Sequence, residues 1–119
     1  MAADPPVVVV AVSPTLMTVF ALDVRSFGLV TVQVQNLTAQ TFSGVIRRSV
    51  SPLLTSATTP LFDFSSIAPA GSVDASGNPT DVVAADIDVE GSAVLSLVGF
   101  MSGAGGNVSY SARKSGPKR

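Results

Sequence analysis

The sequence predicts an all-β protein, a sandwich of two antiparallel sheets with either jelly-roll or immunoglobulin-like connections. Apolar residues recur at alternate positions in several segments, which is the period of a pleated strand with two different faces. These segments are short, and clusters of Gly, Pro, Ser and Asn separate them, as is typical of sandwiches and barrels. Helical spacing of apolar residues is hard to find in the chain.

Four strands are predicted in the first half of the chain. Residues 7–12 are a run of Val and Ala, and residues 16–24 are an apolar segment bounded by turn-forming residues. Residues 28–36, GLVTVQVQN, show the clearest alternation, because Val residues are separated by Thr and Gln. Residues 42–50 form the fourth apolar segment. The alternation in residues 28–36 predicts one buried and one solvated face.

Four more strands are predicted in the second half. Residues 61–66 and 93–100 are apolar segments between turn-forming residues. Residues 82–91, VVAADIDVEG, and residues 107–113, NVSYSAR, repeat the alternation of apolar with polar side chains. The inner face of the sandwich is predicted to include the apolar residues of the alternating strands, namely Val30, Val32, Val34, Ile87, Val89, Val108 and Tyr110. The Phe residues of predicted strands are also expected in the core, namely Phe20, Phe42, Phe62, Phe64 and Phe100.

Turn-forming residues predict two loops. Residues 51–60 contain Pro52 and Pro60, which cannot donate to a strand partner, so this stretch is predicted as a long surface connection. Residues 70–80, AGSVDASGNPT, combine Gly, Asn and Pro. Within and just after this loop, residues 74–81, DASGNPTD, carry oxygen side chains that resemble those of a cation loop, but the glutamate and spacing of an EF-hand are missing, and a plain turn is favoured.

The glycine cluster in residues 99–113, GFMSGAGGNVSYSAR, raises the question of a phosphate-binding loop. Such a loop leads from a strand into a helix N-terminus, whose free N–H groups bind the anion. Here an alternating strand segment follows the glycines, and no Gly-Lys-Ser or Gly-Lys-Thr occurs. The cluster is therefore predicted to form a hairpin turn.

Length and composition indicate one domain that belongs to a larger assembly. A chain of 119 residues suffices for one domain. It is 46% hydrophobic and only 13% charged, against about 25% charged in average proteins. Part of its surface is therefore expected to be covered by neighbours. We divide the chain into an extended N-terminal arm or first strand at residues 1–14, the sandwich at 15–113 and a flexible basic tail at 114–119.

Catalytic residues and cofactors are not expected. The chain has no Cys, His or Trp, which excludes disulfides, thiolate or imidazole metal ligands, and a nucleophile–His pair within the chain. The apolar run at residues 7–12 follows Asp4 and is far shorter than the about 20 residues of a membrane-spanning helix. Neither a signal peptide nor a membrane partner is predicted.

The charged residues are predicted to face partners or solvent. Asp86, Asp88 and Glu90 share one face of a predicted strand and could bind a hard cation. A straight row does not converge as Ca²⁺ ligands do, so a solvated or partner-facing role is favoured. Arg113 and Lys114 open the basic tail, which is expected to dock on a protein neighbour or aid solubility rather than bind nucleic acid specifically.

Arg47 and Arg48 are adjacent in a predicted strand and must point to opposite faces. One of them could form an ion pair at a subunit boundary, for which the planar guanidinium is well suited. Equally, the pair could mark an edge strand, where charges discourage aggregation. The sequence leaves both interpretations open.

The N-terminal run is the main apolar interface candidate. Val7, Val8, Val9 and Val10 are apolar on both faces of a strand and would be exposed on an isolated arm. The segment is therefore expected to be buried against a neighbouring subunit or added as a strand to a neighbour's sheet.

The order of motifs resembles a small β-sandwich found in tailed bacteriophage virions. The matching features are VTVQV at residues 30–34, TFSGVI at 41–46, a later strand containing DV, and a glycine-rich turn before VSYSAR at 108–113. The resemblance covers about residues 22–115. It implies a capsid-decoration or tail-associated protein of the virion. The major capsid protein would be its partner, and copies of the protein would associate with each other, often as trimers. Members often carry a Trp in the middle strand, and this chain has none.

Two functions are carried forward. The first is a non-enzymatic bacteriophage virion structural protein, a capsid decoration or cement protein that stabilises the head by contacting the major capsid protein at the head surface. The alternative is a carbohydrate- or receptor-binding module of a phage tail or surface protein, with loops at one end of the sandwich holding the ligand. A glycosidase-type enzyme is the weakest hypothesis, because no aromatic cleft accompanies the carboxylates.

Overall fold

The computed structural model describes residues 7–50 and 59–117, and all regular structure in these ranges is β-strand. Within them no helix long enough to cross a membrane is present. The strands are β1 (Val8–Val12), β2 (Met17–Asp23), β3 (Phe27–Asn36), β4 (Phe42–Ser49), β5 (Thr59–Ile67), β6 (Val82–Asp88), β7 (Val94–Met101) and β8 (Gly106–Pro117). Each of the eight predicted segments is confirmed as a strand.

The strands form two four-stranded sheets, with the order β1-β8-β3-β6 in sheet A and β2-β7-β4-β5 in sheet B. Antiparallel pairs join β1 to β8, β2 to β7, β3 to β6 and β4 to β5. The chain is thus one long hairpin, folded so that successive strand pairs alternate between the sheets. The β3–β8 and β4–β7 pairings then complete each sheet. This connectivity is that of a jelly roll, which decides between the two predicted sandwich topologies.

The core lies between the sheets and contains the predicted inner-face residues. Six of those seven side chains are buried, namely Val30, Val32, Val34, Ile87, Val89 and Val108. The seventh, Tyr110, is half-buried and packs on Phe20 of sheet B with 4.6 Å between ring centroids. Alternation in the sequence therefore identified the buried face of sheet A correctly.

Two glycines in sheet B make room for the largest core side chain. Gly44 and Gly99 are paired across β4 and β7, and the fully buried ring of Phe42 lies against both. A Cβ at Gly99 would lie 2.5 Å from Phe42 Cζ and 2.6 Å from the carbonyl oxygen of Ser43. These glycines therefore serve close packing, not turn formation.

A buried amide closes one end of the sandwich. Asn36, the last residue of β3, is fully buried, and its Nδ2 donates to the carbonyl oxygens of Gln40 at 2.5 Å and of Ile67 and Ala68 at 3.1 Å each. Its Oδ1 accepts the backbone N–H of Thr38 at 3.0 Å. Because Ile67 ends β5, this amide links sheet A to sheet B.

The glycine-rich segment after β7 does not form the predicted hairpin. It carries the chain from β7 in sheet B to β8 in sheet A, so the strands on either side of it are not paired. Its glycines do not have positive φ angles. Gly105 lies where a Cβ would be 2.8 Å from the carbonyl oxygen of Val12, and a Cβ at Gly106 would overlap the Thr38 methyl group. The glycines permit two segments to approach closely where the chain changes sheets.

The prediction of a flexible tail after Arg113 is wrong for residues 114–117. β8 continues to Pro117, which is paired with Phe27 at the start of β3. Gly116 adopts a φ of 72° within this extension, a conformation that other residues rarely adopt. Lys118 and Arg119 lie outside the described residues. Backbone pairing with a long β3 therefore orders residues that composition alone assigned to a tail.

The N-terminal segment forms a strand of its own domain. Of the two forms expected, an arm added to a neighbour or a first strand, the structure shows the second, because β1 pairs with β8 of the same chain. The predicted loop at residues 51–60 lies mostly outside the described residues, and its last two residues belong to β5. Pro60 is tolerated there because β5 is an edge strand and the pairing is irregular beside it.

Candidate interaction surfaces

The outer face of sheet A is largely polar along its inner strands β3 and β8. Along β3, Thr31, Gln33 and Gln35 point away from the core, opposite polar residues of β8. Thr31 lies between Asp86 and Arg113, and its hydroxyl donates to Asp86 Oδ1 at 2.7 Å. Asp86 and Arg113, two interface candidates of opposite charge, are thus placed on one face of one chain.

The three predicted acidic residues do not form one straight row. Asp86 and Asp88 are exposed on β6, but Glu90 lies beyond the end of the strand, in the turn before Gly91. Asp88 Oδ1 accepts the backbone N–H of Glu90 at 2.9 Å, so this carboxylate caps the turn. In the described ranges, no three acidic residues are placed to hold a metal ion.

A cleft of about 330 Å³ lies at one end of this outer face, between β3 and the loop before β6. Polar and apolar residues line it together, namely Gln33, Gln35, Gly71, Ser72, Val73, Pro79, Asp81 and Val82. The carboxylate of Asp81 is buried and accepts the backbone N–H of Gly71 at 3.0 Å. The cleft therefore offers amide, hydroxyl and carboxylate groups side by side.

The loop that borders this cleft is the plain turn that the sequence predicts. Asp74 Oδ1 accepts the backbone N–H groups of Ser76 at 2.8 Å and Asn78 at 3.0 Å. These bonds stabilise the ionised carboxylate and lower the pKa of Asp74 below its ordinary value. A bridge between Val73 and Pro79 closes the loop.

The outer face of sheet B is apolar and carries a groove of about 250 Å³. Leu16, Val45, Val98 and Phe100 line the groove, together with Ser43, Gly44 and Arg47. Leu16 is 53% exposed and Phe100 is 40% exposed. The expectation that Phe100 belongs to the core is therefore wrong. Its position in β7 differs by an odd number from buried Leu95 and Leu97, and this parity is a sequence signal for the opposite face.

Arg47 forms the polar end of the groove. Its side chain is half-buried, and Nε is buried without a hydrogen-bond partner among the described residues. Ser96, directly opposite on β7, also has a buried hydroxyl without a partner in this part of the chain. Arg48 pairs with buried Leu95 and so lies on the other face, which confirms that the two arginines point in opposite directions.

The remaining interface candidates lie on β1 and β8. Val7 and Val9 are exposed beside the open edge of sheet A, Val8 is at the limit of exposure and Val10 is half-buried. Lys114 is held within the chain, because its Nζ lies 5.2 Å from the ring centroid of Phe27 and donates to the carbonyl oxygen of Asp23 at 3.3 Å.

An ion pair in the turn after β2 was not predicted. Arg25 Nη2 lies 2.6 Å from Asp23 Oδ2, and Arg25 Nε donates to Asp23 Oδ1 at 3.0 Å. Hydrogen bonds from Arg25 lower the pKa of Asp23 to about 2. The available sequence signal is the Asp-x-Arg spacing at a turn.

Comparison with solved structures gives a likeness to a viral protein. No protein-family model matches the chain, and no curated protein matches it. The chain is similar to part of a chain in the solved structure of the Gx strain of infectious bursal disease virus, with a TM-score of 0.33 and 16% sequence identity. The match covers 92% of this chain and 28% of the viral chain.

Proposed function

We propose that the protein is a non-enzymatic structural subunit of a virion, a decoration or cement protein that binds the major capsid protein on the head of a tailed bacteriophage. The observation that carries the proposal is the apolar outer face of sheet B. Leu16 and Phe100 are exposed there beside Val45 and Val98. An apolar surface of this kind, on a chain with few charges, is typical of a protein that rests on another.

The contact would be mainly hydrophobic. Covering apolar surface contributes about 25 cal/mol per Å², and the groove offers a recess in which a capsid side chain could be seated. Arg47 adds selectivity, because its buried Nε needs an acceptor. A carboxylate of the capsid protein at this end of the groove would form a charge-assisted hydrogen bond with the guanidinium.

Fold and sequence give further support. Jelly rolls occur in viral capsid domains and also in lectins. The motifs that resemble tailed-phage virion proteins lie mostly on described strands, VTVQV on β3 and VSYSAR on β8. Fold alone does not decide function, whereas the apolar surface of sheet B is specific to this chain's ability to bind a partner.

The proposal can be tested with purified phage heads that lack decoration proteins. The protein should co-sediment with the heads and raise the temperature at which they release DNA. Phe100→Asp should weaken binding at least tenfold, because a carboxylate would be buried against apolar surface. Gln33→Asp, which adds the same charge on the outer face of sheet A, should bind as the unaltered protein does. Equal binding by both variants, or no binding to any head, would contradict the proposal.

Binding at different salt concentrations distinguishes apolar from ionic attachment. Exposed ion pairs contribute about 0.2–1 kcal/mol each and are screened over about 8 Å at physiological ionic strength. Occupancy of the heads should therefore persist from low to high salt, with slower association as steering is lost. Complete release by salt, with the circular dichroism spectrum unchanged, would show that charges hold the protein on the particle.

The alternative function, carbohydrate or receptor binding, is favoured by the cleft on sheet A, which has polar groups in its lining. Amide and carboxylate groups at Gln33, Gln35 and Asp81 suit the hydroxyl groups of a sugar. A glycan array probed with the free protein tests this function. Binding that Asp81→Asn abolishes, together with no binding to heads, would favour the alternative over the capsid role.

A further inference from the structure

The four sheet edges are protected unequally against pairing with other chains. Exposed edges are commonly blocked by charges, prolines or bulges. β6 carries Asp86 and Asp88, β5 contains Pro60 with irregular pairing, and β2 has a register shift between Thr18 and Phe20. β1, with the sequence VVVAV, has none of these features, and its pairing with β8 is regular. Among the strands of the described residues, β1 therefore has the edge that is left available.

We propose that the edge of β1 pairs antiparallel with β1 of a second copy, so that two copies share one continuous eight-stranded sheet. Sheet A has β1 at one end, so the combined order is β6-β3-β8-β1 followed by the same strands of the partner in reverse. Full overlap of two five-residue strands places Val10 on the two-fold axis, opposite Val10 of the second copy. This self-association is independent of capsid binding.

The pattern of β1 is complementary to itself in this arrangement. Val8, Val10 and Val12 pair with the inner-face residues of β8, so all three belong to the core side of sheet A. Val8 is 36% exposed and Val12 is 2% exposed. Antiparallel pairing about Val10 sets each Val8 beside Val12 of the other copy, where directly opposed side chains contact each other. The partly exposed Val8 at the edge of one core then lies against the buried Val12 at the edge of the other core.

Charge also favours a second copy as the occupant. Neither β1 nor the residues of β8 that pair with it, 106–110, contain a charged side chain, so two-fold pairing brings no like charges together. The same symmetry at the β6 edge would place carboxylates close to one another. Pairing of two copies through β1 therefore brings no charge repulsion, whereas pairing through β6 would be opposed by repulsion between carboxylates.

The neighbouring edge adds apolar surface to the same contact. The sheets are stacked with β1 over β2, so both strands border one open side of the sandwich. Val10, Met17 and Leu22 are only partly buried on these two strands. A second copy at this side would cover them, which extends the contact beyond backbone hydrogen bonds.

Two-fold pairing predicts a dimer, whereas the phage resemblance implies a trimer. Each copy has one β1 edge, and an isologous contact closes after two copies. Sedimentation velocity of the full chain over a range of concentrations should give a reversible monomer–dimer equilibrium. A strictly monomeric protein, or a trimer, would overturn the proposal.

Substitutions at matched edge positions test which edge is used. Val9 is 56% exposed on the outer face of β1, so Val9→Lys should leave the fold intact and weaken dimerisation at least tenfold by setting like charges near each other. Ala84→Lys adds the same charge at an exposed position on β6, the opposite edge of sheet A, and should dimerise normally. Equal weakening by both substitutions would contradict the proposed edge.

Cross-linking tests the register. The chain has no Cys, so a single introduced thiol reports on one position. Opposed residues of an antiparallel pair have Cα atoms about 4.5–5.5 Å apart, within the range for a disulfide. Val10→Cys should therefore form a covalent dimer at least tenfold faster than Ala84→Cys under mild oxidation. Equal rates would overturn the two-fold arrangement even if Val9→Lys failed to fold.

Discussion

β3 and β7 are inner strands of their sheets, and they differ in the side chains that point away from the core. On β3 the outward residues are mostly polar, namely Thr31, Gln33 and Gln35 beside Leu29, and the inward valines are fully buried. On β7 the outward residues include Val98 and Phe100, and almost every residue of the strand is buried. One strand therefore has a solvated face, and the other is apolar on both sides.

The difference between the strands is visible in their sequences. Strict alternation is typical of a strand with one face in water, whereas a continuous apolar run is typical of a strand covered on both faces. Within the described residues, the outer face of β7 is flanked by Leu16, Val45 and Arg47 and remains open as a groove. The apolar surface around Phe100 is the part of this face that the proposed capsid contact would cover.

The largest effect on stability is expected on the inner face of β7. Leu97 is fully buried, and Leu97→Ala should lower the free energy of unfolding by about 2–5 kcal/mol, because methylene groups are lost and a cavity remains. Phe100→Ala, on the outer face of the same strand, should cost less than about 1 kcal/mol, as is usual for exposed positions. Urea denaturation measures both, and equal losses would show that the outer face is also core.

The next effect concerns the end of β3. Asn36→Ala removes the amide that satisfies the carbonyl oxygens of Ile67 and Ala68, and should cost about 1–3 kcal/mol for buried groups left without partners. Gln33→Ala, on the outer face of the same strand, should change stability by no more than about 0.5 kcal/mol. If the two substitutions cost the same in urea denaturation, the amide does not link the sheets as described.

A smaller change in stability is expected when the outer face of sheet B is made polar. The double substitution Leu16→Ser with Phe100→Ser should shift the thermal midpoint by no more than about 4 °C, which corresponds to about 1 kcal/mol or less. Its retention on a hydrophobic-interaction column should fall clearly, because two exposed apolar side chains are removed. Leu29→Ser on the outer face of sheet A is the control and should reduce retention less. If Leu29→Ser reduced retention more than the double substitution, the outer face of sheet A would be the more apolar of the two.

The smallest effect is expected at the exposed ion pair after β2. Hydrogen bonds from Arg25 lower the pKa of Asp23 from 3.8 to about 2 in the folded chain. The carboxylate therefore contributes stability above pH 3.8, and this contribution is lost as the pH falls toward 2. Asp23→Asn should lower the thermal midpoint slightly at pH 6 and leave it unchanged near pH 2. A difference that does not vary with pH would mean that charge is not its cause.

Two errors of prediction, the hairpin after β7 and the tail after Arg113, share one physical cause. Glycine at 103–106 signals a turn, but whether the next strand pairs with β7 or joins the other sheet depends on Val12 and Thr38, which are distant in the chain. Likewise, Lys114 and Gly116 are residue types that are common in flexible tails. They belong to β8 because this strand pairs with β3, and Lys114 also packs on Phe27. Local composition carries no information about such partners.

The sequence by itself determined the eight strands, the buried face of β3 and the apolar character of β1, because strand periodicity is a property of consecutive residues. Only the tertiary structure decided that the connections make a jelly roll, that β1 pairs within its own chain, and that Arg47 and Phe100 line one groove. These features depend on which strands become neighbours, and that choice is made by contacts between distant residues, such as Phe42 against Gly99 and Asn36 against Ile67. Such contacts form only when both sheets close over a common core.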